Sequence, residues 1–239
     1  PFHTSIWSSD PAYRKQADDL VKQALLEKAL PYFADYRPLF GEILVKKPSL
    51  TVNFPVHQDW TFVDEPEFVS VFVWCPLQDV NLRNGCLKVV EGSHRNLDRV
   101  RGANVPVSYD GIRHKIPGEY LRPLPLKAGE CVIFSQALLH ASPPNHTFRK
   151  RIAIGLLLTP TEAPLYHYYY DRKLGKLYKF QVDVDFFMHY SDQLDFKKAL
   201  ETGSFLKPEH YPLLEEKDYT VETLSLPGFI ERVTPQHRD

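Results

Sequence analysis

The sequence predicts a mainly β protein with flanking helices, built around a double-sheet barrel or sandwich. From Phe40 onward, short runs rich in Val, Ile, Phe and Leu recur, and Gly, Pro, Asn and Asp separate them. Loops of uneven length between many short strands are typical of a two-sheet architecture. A chain of 239 residues with 43% hydrophobic and 25% charged residues is long enough to bury one such core.

A helix is predicted from Pro11 to Leu30. The Ser9-Asp10-Pro11 stretch supplies a capping side chain followed by a proline, whose missing N–H is harmless at a helix start. Apolar residues then follow at helical spacing, namely Ala17, Leu20, Val21, Ala24 and Leu25. Pro31 ends the pattern. Residues 1–39 are therefore expected to form a helical scaffold that packs on a sheet without contributing chemistry.

Residues 40–160 are predicted to form the β core. The expected strands are Phe40–Val45, Leu50–Val56, Phe68–Cys75, Cys86–Val90, Glu130–Phe134 and Ile152–Leu158. A long connection at about residues 95–127, the lid loop, carries seven Lys or Arg against three acids. Loops of this length are usually functional or disordered. We expect a lid over a pocket that favours an anionic substrate, and a solvated basic loop is the alternative.

Residues 161–239 form a tyrosine-rich extension. Eight of the thirteen tyrosines lie there, and helical spacing predicts helices at Asp185–Ser191 and Gln193–Thr202. No linker rich in Gly and Ser precedes the region, so we expect a single domain over residues 1–239, with the extension packed on the core. Tyrosine suits a wet pocket wall or an interface, and a homodimer through this region is a further expectation.

Composition excludes several classes of function. A formal net charge of −1 gives no global field that would attract nucleic acid or a membrane, and no apolar run is long enough to cross a bilayer. The three cysteines, Cys75, Cys86 and Cys131, cannot all pair and lack metal-binding spacing. They are predicted to be small buried hydrophobes in a reducing compartment, which favours the cytoplasm. The chain begins at Pro1, so removal of a targeting segment stays an open alternative.

The pair His57 and Asp59, with His140 far downstream, is the strongest chemical signal. Two histidines and one carboxylate hold non-haem Fe(II) on one face and leave the opposite face open. His57 and Asp59 are two positions apart, so on an extended strand both side chains point the same way. His140 follows 81 positions after Asp59 and must arrive on a distant strand. A chance His-x-Asp pair is the alternative for the first two residues alone.

Further motifs accompany this pair in a fixed order. They are Asn84-Gly85-Cys86-Leu87, Glu91-Gly92-Ser93-His94, the stretch 128–134 (AGECVIF), the stretch 138–142 (LLHAS) and Arg151. Between about Lys46 and Pro160, roughly half the chain, this order resembles the phytanoyl-CoA dioxygenase family of Fe(II)/2-oxoglutarate oxygenases. The resemblance implies a double-stranded β-helix, a cupin-like jelly roll. It also implies that His57, Asp59 and His140 hold Fe(II), with 2-oxoglutarate and O2 as co-substrates.

The resemblance also assigns a role to Arg151, eleven positions after His140. An arginine at this offset holds the distal carboxylate of 2-oxoglutarate, and a planar guanidinium suits that role because it grips a carboxylate through two parallel hydrogen bonds. The turn at residues 143–145 (PPN) predicts a hairpin that returns this strand toward the metal. Arg149 and Lys150 are the competing candidates.

Two further residues are predicted near the co-substrate. Ser142 lies two positions after His140 and is expected to donate a hydrogen bond to 2-oxoglutarate, unless it serves only as a turn residue. The resemblance implies that Trp74 lines the oxoglutarate pocket, and core packing is the alternative reading.

The implied reaction is hydroxylation of an unactivated C–H bond of a small molecule, with release of succinate and CO2. Asp59 supports this outcome, since related halogenases leave its iron position open for chloride. Residues that flank the metal strand, the lid loop or the extension are candidates for the substrate wall, namely Trp60, Asp64, Glu65, Arg101, Arg113, Tyr166 and Tyr168. The resemblance adds Asn84 as a ligand contact, and a turn at Asn84-Gly85 is the simpler alternative. The alternatives are desaturation or cyclisation at the same iron, or a non-catalytic jelly-roll binding module that holds a metal.

Overall fold

Two antiparallel sheets form the core of the computed structural model, which describes residues 2–234. The first sheet has the order β1-β2-β9-β4-β7, with β1 at Phe2–Thr4, β2 at Tyr36–Lys46, β4 at Val71–Pro76, β7 at Val132–Ser135 and β9 at Arg151–Pro160. The second has the order β3-β8-β5-β6, with β3 at Phe54–His57, β5 at Leu87–Val89, β6 at Arg122–Leu124 and β8 at His140–Ser142. This pair of sheets confirms the predicted jelly-roll core.

Strand β4 of the five-stranded sheet is buried on both faces. Its alternate side chains point to opposite sides of the sheet. Phe72 and Trp74 of β4 belong to the central cluster that also contains Leu87 of the four-stranded sheet. Val71 and Val73 of the same strand belong to a second cluster on the outer face. All of β4 is buried, as expected for a strand covered on both sides.

Helix α1 (Pro11–Ala29) covers the outer face, and the prediction of this helix is confirmed. The Asp10 carboxylate accepts hydrogen bonds from the first-turn N–H groups of Ala12 and Tyr13, so it caps the helix as expected. Gly41 of β2 allows the close approach of α1, since a Cβ atom there would lie 2.8 Å from the Val21 side chain. Helix α1 therefore positions the sheet, whereas Phe2, Thr4, Ile6 and Trp7 of the same N-terminal segment line the cavity that also contains the candidate metal ligands.

Two details differ from the prediction. The strand predicted at Leu50–Val56 begins only at Phe54, because the preceding residues form a turn in which the Ser49 hydroxyl accepts from the N–H groups of Thr51 and Val52. Cys75 and Cys86 are buried as predicted, whereas Cys131 is exposed, just before β7 begins.

The lid loop is ordered and well anchored. Ala103 donates to the Tyr168 carbonyl and accepts from the Tyr170 N–H, which ties the loop to the extension. Four of its seven cationic side chains form ion pairs, namely Arg101 with Glu65, Arg113 with Asp110, Arg122 with Glu91 and Lys127 with Asp79. The basic excess that predicted an anionic substrate is therefore largely compensated.

The extension contains a third antiparallel sheet that the sequence did not predict. Its strands are β10 (Tyr166–Asp171), β11 (Lys176–Gln181) and β12 (Leu213–Asp218), followed by α4 (Leu226–Val233). The two predicted helices are present as α2 (Phe186–Asp192) and α3 (Phe196–Thr202), the latter starting three residues later than expected. Within residues 2–234, no helix combines the length and apolarity that crossing a bilayer requires.

The extension shares the central core with the sheets. Tyr178, Phe180, Phe186 and Tyr190 are buried in the same cluster as Trp74. Helix α4 contributes to another cluster with Val90 and Leu139. Tyr168, Tyr178 and Tyr190 are thus part of the interior, and the homodimer expected through this region stays a prediction.

His167 of β10 is a buried titratable group in this interior. The side chain is fully buried, and neither ring nitrogen has a hydrogen-bond partner within the described chain. Its ring packs against the rings of Trp60, Phe186 and Tyr190. Burial lowers the pKa of His167 to about 3, because the apolar surroundings disfavour the imidazolium.

We predict that His167→Phe weakens the acid sensitivity of the fold. A histidine whose pKa is lower in the folded state than in the unfolded state binds more protons after unfolding, so stability falls as pH decreases from about 6.5. Between pH 6 and 4, the slope of unfolding free energy against pH should be smaller in the variant than in the parent by up to about 1.4 kcal/mol per pH unit. Urea denaturation at several pH values measures this slope. His189→Phe, at an exposed position of α2, is the control, and an equal change in both variants would contradict the prediction.

Candidate metal centre

The pairing of β3 with β8 brings two distant histidines together. His57 ends β3 and lies directly opposite His140, which begins β8. Their ring centroids are 4.1 Å apart. In an antiparallel pair, directly opposed residues project from the same face of the sheet. Both imidazoles therefore point into the space between the two sheets.

Asp59 completes the group from just beyond the end of β3. Its Oδ1 atom lies 3.5 Å from Nε2 of His57 and 3.9 Å from Nε2 of His140. One donor atom from each of the three residues lies within 4.8 Å of the other two. The strand argument predicted this convergence, but β3 ends at His57, so the loop and not the strand pleat places Asp59.

Hydrogen bonds hold that loop in place. The Asp59 N–H donates to the Gln136 carbonyl over 3.1 Å, and Arg101 Nε donates to the Asp59 carbonyl over 2.6 Å. The Gln58 N–H donates to the Tyr109 hydroxyl, and Gln58 Nε2 donates to the carbonyl oxygens of Ala137 and Asp98. The lid loop thus helps to position the metal-facing carboxylate.

Both histidines present Nε2 to the centre. His57 Nδ1 lies 2.9 Å from the Pro55 carbonyl oxygen, and His140 Nδ1 lies 2.9 Å from the Leu138 carbonyl oxygen. A carbonyl only accepts, so Nδ1 carries the proton and Nε2 keeps a free lone pair. These carbonyls are the outer partners that fix a metal-binding histidine in its working tautomer.

The protonation states also suit a cation. Burial and the neighbouring His57 lower the pKa of His140 to about 4, against a smaller opposing effect of Asp59. Burial alone would raise the pKa of Asp59, but His140 and His57 lower it below its usual value. Near neutral pH the pair supplies a neutral imidazole and a carboxylate, the forms that bind metal. The donor set of two nitrogens and one oxygen fits a divalent transition metal such as Fe(II).

Arg151 lies at the deep end of the same cavity. It is 2% exposed, and its Nε and Nη1 atoms have no hydrogen-bond partner within the described chain. Its guanidinium lies 5.3 Å from the Trp74 ring centroid, and burial lowers its pKa to about 10, so it stays charged. Unpartnered buried donors are costly, and a carboxylate ligand would satisfy them. This side chain fits the distal carboxylate of a small diacid.

Lys46 is a second buried cation that the sequence analysis missed. It lies opposite Arg151 in the β2–β9 register and donates to the carbonyl and hydroxyl oxygens of Ser142 and to the Pro143 carbonyl. Burial and the charge of Arg151 lower its pKa to about 7. Its only sequence signal is the alternation of β2, which places residue 46 on the same face as Leu44.

The Ser142 hydroxyl already has an acceptor within the chain, and its role as a donor to the co-substrate stays a prediction. Its hydroxyl donates to the Gly85 carbonyl over 2.9 Å, and a hydroxyl has a single proton. The oxygen instead accepts from Lys46 and, at 3.4 Å, from Arg151. Ser142 therefore positions the two cations.

The prediction that the strands of His140 and Arg151 form a hairpin is wrong. Strand β8 pairs with β3 and β5, whereas β9 pairs with β2 and β4. The intervening prolines, Pro143 and Pro144, lack the N–H groups that a hairpin ladder needs. The chain crosses from one sheet to the other here, and Arg151 reaches the site across the interior.

The centre opens into a cavity of about 460 Å³ between the sheets. Its wall includes many aromatic side chains, among them Phe2, Trp7, Phe40, Phe54, Trp60, Phe62, Trp74, Phe134 and Phe187. Residues of the lid loop, from Arg101 to Arg113, line one side. The polar groups on the wall include the metal-facing triad, Arg151, Glu42 and Gln136. A largely apolar cavity with a few convergent polar groups is typical of a small-molecule site.

Three of the predicted substrate residues, Trp60, Arg101 and Arg113, lie on this wall. Arg101 and Arg113 are held by Glu65 and Asp110 respectively. Trp74, predicted near the co-substrate, also lies on the wall.

The other five predicted substrate residues lie off the wall. Glu65 pairs with Arg101 from behind, and the Asp64 carbonyl closes a turn by accepting from Glu67 and Phe68. Asn84 ends a helical turn and bonds to the backbone of Asn81 and Asp79. Tyr166 and Tyr168 pack against Lys179 in the third sheet. Local turn and cross-strand contacts therefore use the side chains of Glu65, Asn84, Tyr166 and Tyr168 and the backbone of Asp64.

Comparison with known proteins identifies one family across most of the site. The model of the phytanoyl-CoA dioxygenase (PhyH) family matches residues 3–153. This range contains the triad, Lys46, Ser142 and Arg151.

Similar curated proteins carry the same description. The chain is 27% identical to peroxisomal phytanoyl-CoA dioxygenase of Mus musculus over 155 residues, which are 58% of this chain and 46% of that protein. It is 29% identical to phytanoyl-CoA dioxygenase 1 of Oryza sativa subsp. japonica over 182 residues, which are 64% of this chain and 63% of that protein. The alignments thus span about half to two thirds of these relatives.

Among solved structures, the fold resembles that of the epimerase SnoN in complex with Fe3+, alpha ketoglutarate and nogalamycin RO. The match has a TM-score of 0.50 and 20% identity, and it covers 90% of this chain and 78% of that one. At this identity, the likeness concerns the fold.

We predict that His140→Ala weakens Fe(II) binding at least about a hundredfold. Loss of an outer hydrogen-bond partner alone typically reduces metal affinity about 10–100-fold, and this change removes a ligand. Anaerobic calorimetric titration with Fe(II) measures the affinity without any need for turnover. His94→Ala, at an exposed position, should bind Fe(II) like the parent protein. Parent-like affinity in the His140 variant would exclude His140 as a ligand.

Proposed function

Because this chain belongs to the phytanoyl-CoA dioxygenase family, we propose that it is an Fe(II)- and 2-oxoglutarate-dependent oxygenase that hydroxylates a C–H bond of a small molecule. One observation carries the proposal. The triad of His57, Asp59 and His140 faces the same cavity as the buried, incompletely bonded guanidinium of Arg151. A metal-binding face and a carboxylate-binding cation in one enclosed space suit a metal-chelating diacid.

The bound iron, with 2-oxoglutarate and O2, supplies the oxidation: one oxygen atom enters succinate as CO2 leaves, and the other enters the substrate C–H bond. The protein supplies ligands, orientation and shielding. Asp59 contributes one negative charge, and the neutral imidazoles of His57 and His140 contribute none. His57, Asp59 and His140 would hold the metal at the cavity wall, where a co-substrate could reach it.

Arg151 would orient the co-substrate, and Lys46 holds Ser142 beside it. The free Nε and Nη1 donors of Arg151 can grip the distal carboxylate, while Ser142 holds Nη2 and Lys46 in register. Trp74 packs on the guanidinium and restricts its movement. Because these side chains come from both sheets, the co-substrate would be fixed relative to the triad by the sandwich itself.

The cavity wall shields the reaction from water. Phe62, Phe72 and Phe134 are buried residues that line it, and the anchored lid loop closes one side. Exclusion of water limits side reactions of an oxidising site. The wall also favours a substrate with a substantial apolar part.

Fe(II)-dependent conversion of 2-oxoglutarate to succinate tests the proposal directly. The protein is incubated with Fe(II), 2-oxoglutarate, ascorbate and a metabolite pool, and succinate and product masses are recorded. A substrate-dependent gain of one oxygen atom supports hydroxylation. A loss of two hydrogen atoms would replace hydroxylation by desaturation or cyclisation. Absence of succinate despite stoichiometric Fe(II) binding would favour a non-catalytic binding module.

We predict that Arg151→Lys raises the 2-oxoglutarate concentration needed for half-maximal succinate formation about 10–100-fold. Lysine keeps the charge but loses the planar fork, and a charge-assisted hydrogen bond contributes about 1.5–3 kcal/mol. Anaerobic 2-oxoglutarate binding should weaken by a similar factor. Arg149→Lys, at an exposed position, is the matched control. A normal requirement in the Arg151 variant and a raised one in the Arg149 variant would transfer the role to Arg149.

A further inference from the structure

We propose that the substrate carries a protonated basic nitrogen and that Glu42 is the residue that selects it. The inference rests on the proposed function, because it names the substrate class of the same cavity. Glu42 would accept hydrogen bonds from the substrate ammonium and hold an adjoining apolar group among the aromatic side chains.

Glu42 is an acidic group on a cavity wall that is rich in aromatic side chains. It lies in the middle of β2, is 9% exposed and lines the cavity. Its Oε2 atom accepts from the Thr4 hydroxyl. Among the described side chains, Glu42 has no other hydrogen-bond partner and no ion pair with a cation. A buried carboxylate without a cation is costly, and a cationic ligand would relieve that cost.

The protein's own cations near the cavity are engaged elsewhere. Arg101 pairs with Glu65, and Arg113 pairs with Asp110. Lys46 donates to Ser142 and Pro143 beside Arg151. None of these cations forms an ion pair with Glu42, which therefore has no cationic partner among the described side chains.

The surroundings of Glu42 suit an organic cation. Phe40 flanks it on the same face of β2, and Phe2, Phe54, Phe62 and Phe187 also line the cavity. Aromatic faces attract cations, particularly in a space shielded from water. Burial and the negative charge of Asp59 raise the pKa of Glu42 to about 7, against the opposing hydrogen bond from Thr4. A bound ammonium would shift this equilibrium toward the carboxylate.

A purely structural role does not require a carboxyl group at this position. If Glu42 only held Thr4 and the N-terminal strand β1, a glutamine would accept the same hydrogen bond and avoid the burial of an acid. Glu42→Gln therefore removes the charge, preserves the size and keeps an acceptor for Thr4. This makes it a sharper test than a change to alanine.

Ligand affinity can be read from intrinsic fluorescence, because all three tryptophans of the chain, Trp7, Trp60 and Trp74, line the cavity. The probes are 2-phenylethylamine, 2-phenylethanol and 3-phenylpropanoate, which share an aryl-alkyl body and differ in charge. Titrations use the Fe(II)- and 2-oxoglutarate-loaded protein without oxygen. At pH 8.5 Glu42 is mainly a carboxylate, while an alkylamine with an ordinary pKa of about 10.4 stays charged.

We expect the parent protein to bind the amine at least about tenfold more tightly than the alcohol, which corresponds to about 1.4 kcal/mol, and to bind the carboxylate most weakly. Glu42→Gln should weaken amine binding about tenfold and change alcohol binding less than twofold. Since the metal site is identical in both proteins, coordination of the amine to iron cannot produce this difference. Glu67→Gln, which neutralises an exposed carboxylate, should leave all three affinities unchanged.

Two results would overturn the inference. One is a parent protein that prefers the alcohol or the carboxylate, which does not depend on any variant folding. The other is an equal loss of affinity for all probes in Glu42→Gln. Succinate formation is measured on the same preparations. If succinate forms with Fe(II) but amines are not preferred, the role of Glu42 is rejected and the oxygenase proposal stands. If amines are preferred in a Glu42-dependent way but no succinate forms, the oxygenase proposal is rejected and the cation site stands.

Discussion

The site depends on one strand pairing. β3 and β8 are short, and their register places His57 opposite His140. A slip of one residue would turn His140 to the other face of the smaller sheet. On that face Leu139 now packs in the cluster that contains Val90 and helix α4. The buried neighbours on both faces therefore fix the register, and through it the spacing of two metal-binding nitrogens. The geometry of the centre is a consequence of core packing.

The opposite end of the cavity depends on contact between the sheets. Lys46 and Arg151 lie side by side on paired strands of the larger sheet, and Ser142 belongs to the smaller sheet. The Ser142 hydroxyl accepts from both cations while it donates to the Gly85 carbonyl. A Cβ atom at Gly85 would lie 2.7 Å from the Pro143 carbonyl oxygen, and the residue has φ of +80°, so glycine is required at this crossing. The triad thus depends on the β3–β8 pairing, and Lys46 and Arg151 depend on the β2–β9 pairing. The Ser142 hydroxyl of β8 connects the two sheets by its hydrogen bonds to Lys46 and Arg151.

The charged groups of the cavity fall into two sets. A metal and a diacid would contact His57, Asp59, His140 and Arg151, whereas Glu42 lies beside Phe40 and has no cationic partner among the described side chains. The family match covers residues 3–153, which include both sets. Function depends on such local chemistry more than on the fold that carries it. The basic lid loop, which suggested an anionic substrate, compensates much of its own charge through ion pairs.

The sequence by itself determined the family, the helix α1, the jelly-roll core and the identity of the convergent residues His57, Asp59 and His140. Periodicity and motif order are local signals, and these features depend on them. Only the tertiary structure decided which strands pair with β8 and β9, which atom accepts the Ser142 proton, and that Lys46 and Glu42 are buried. Those features depend on which strands meet across the sandwich. From the sequence, a lysine or glutamate on a strand is predicted to be solvent-exposed. Local spacing does not show whether a second sheet packs over that position.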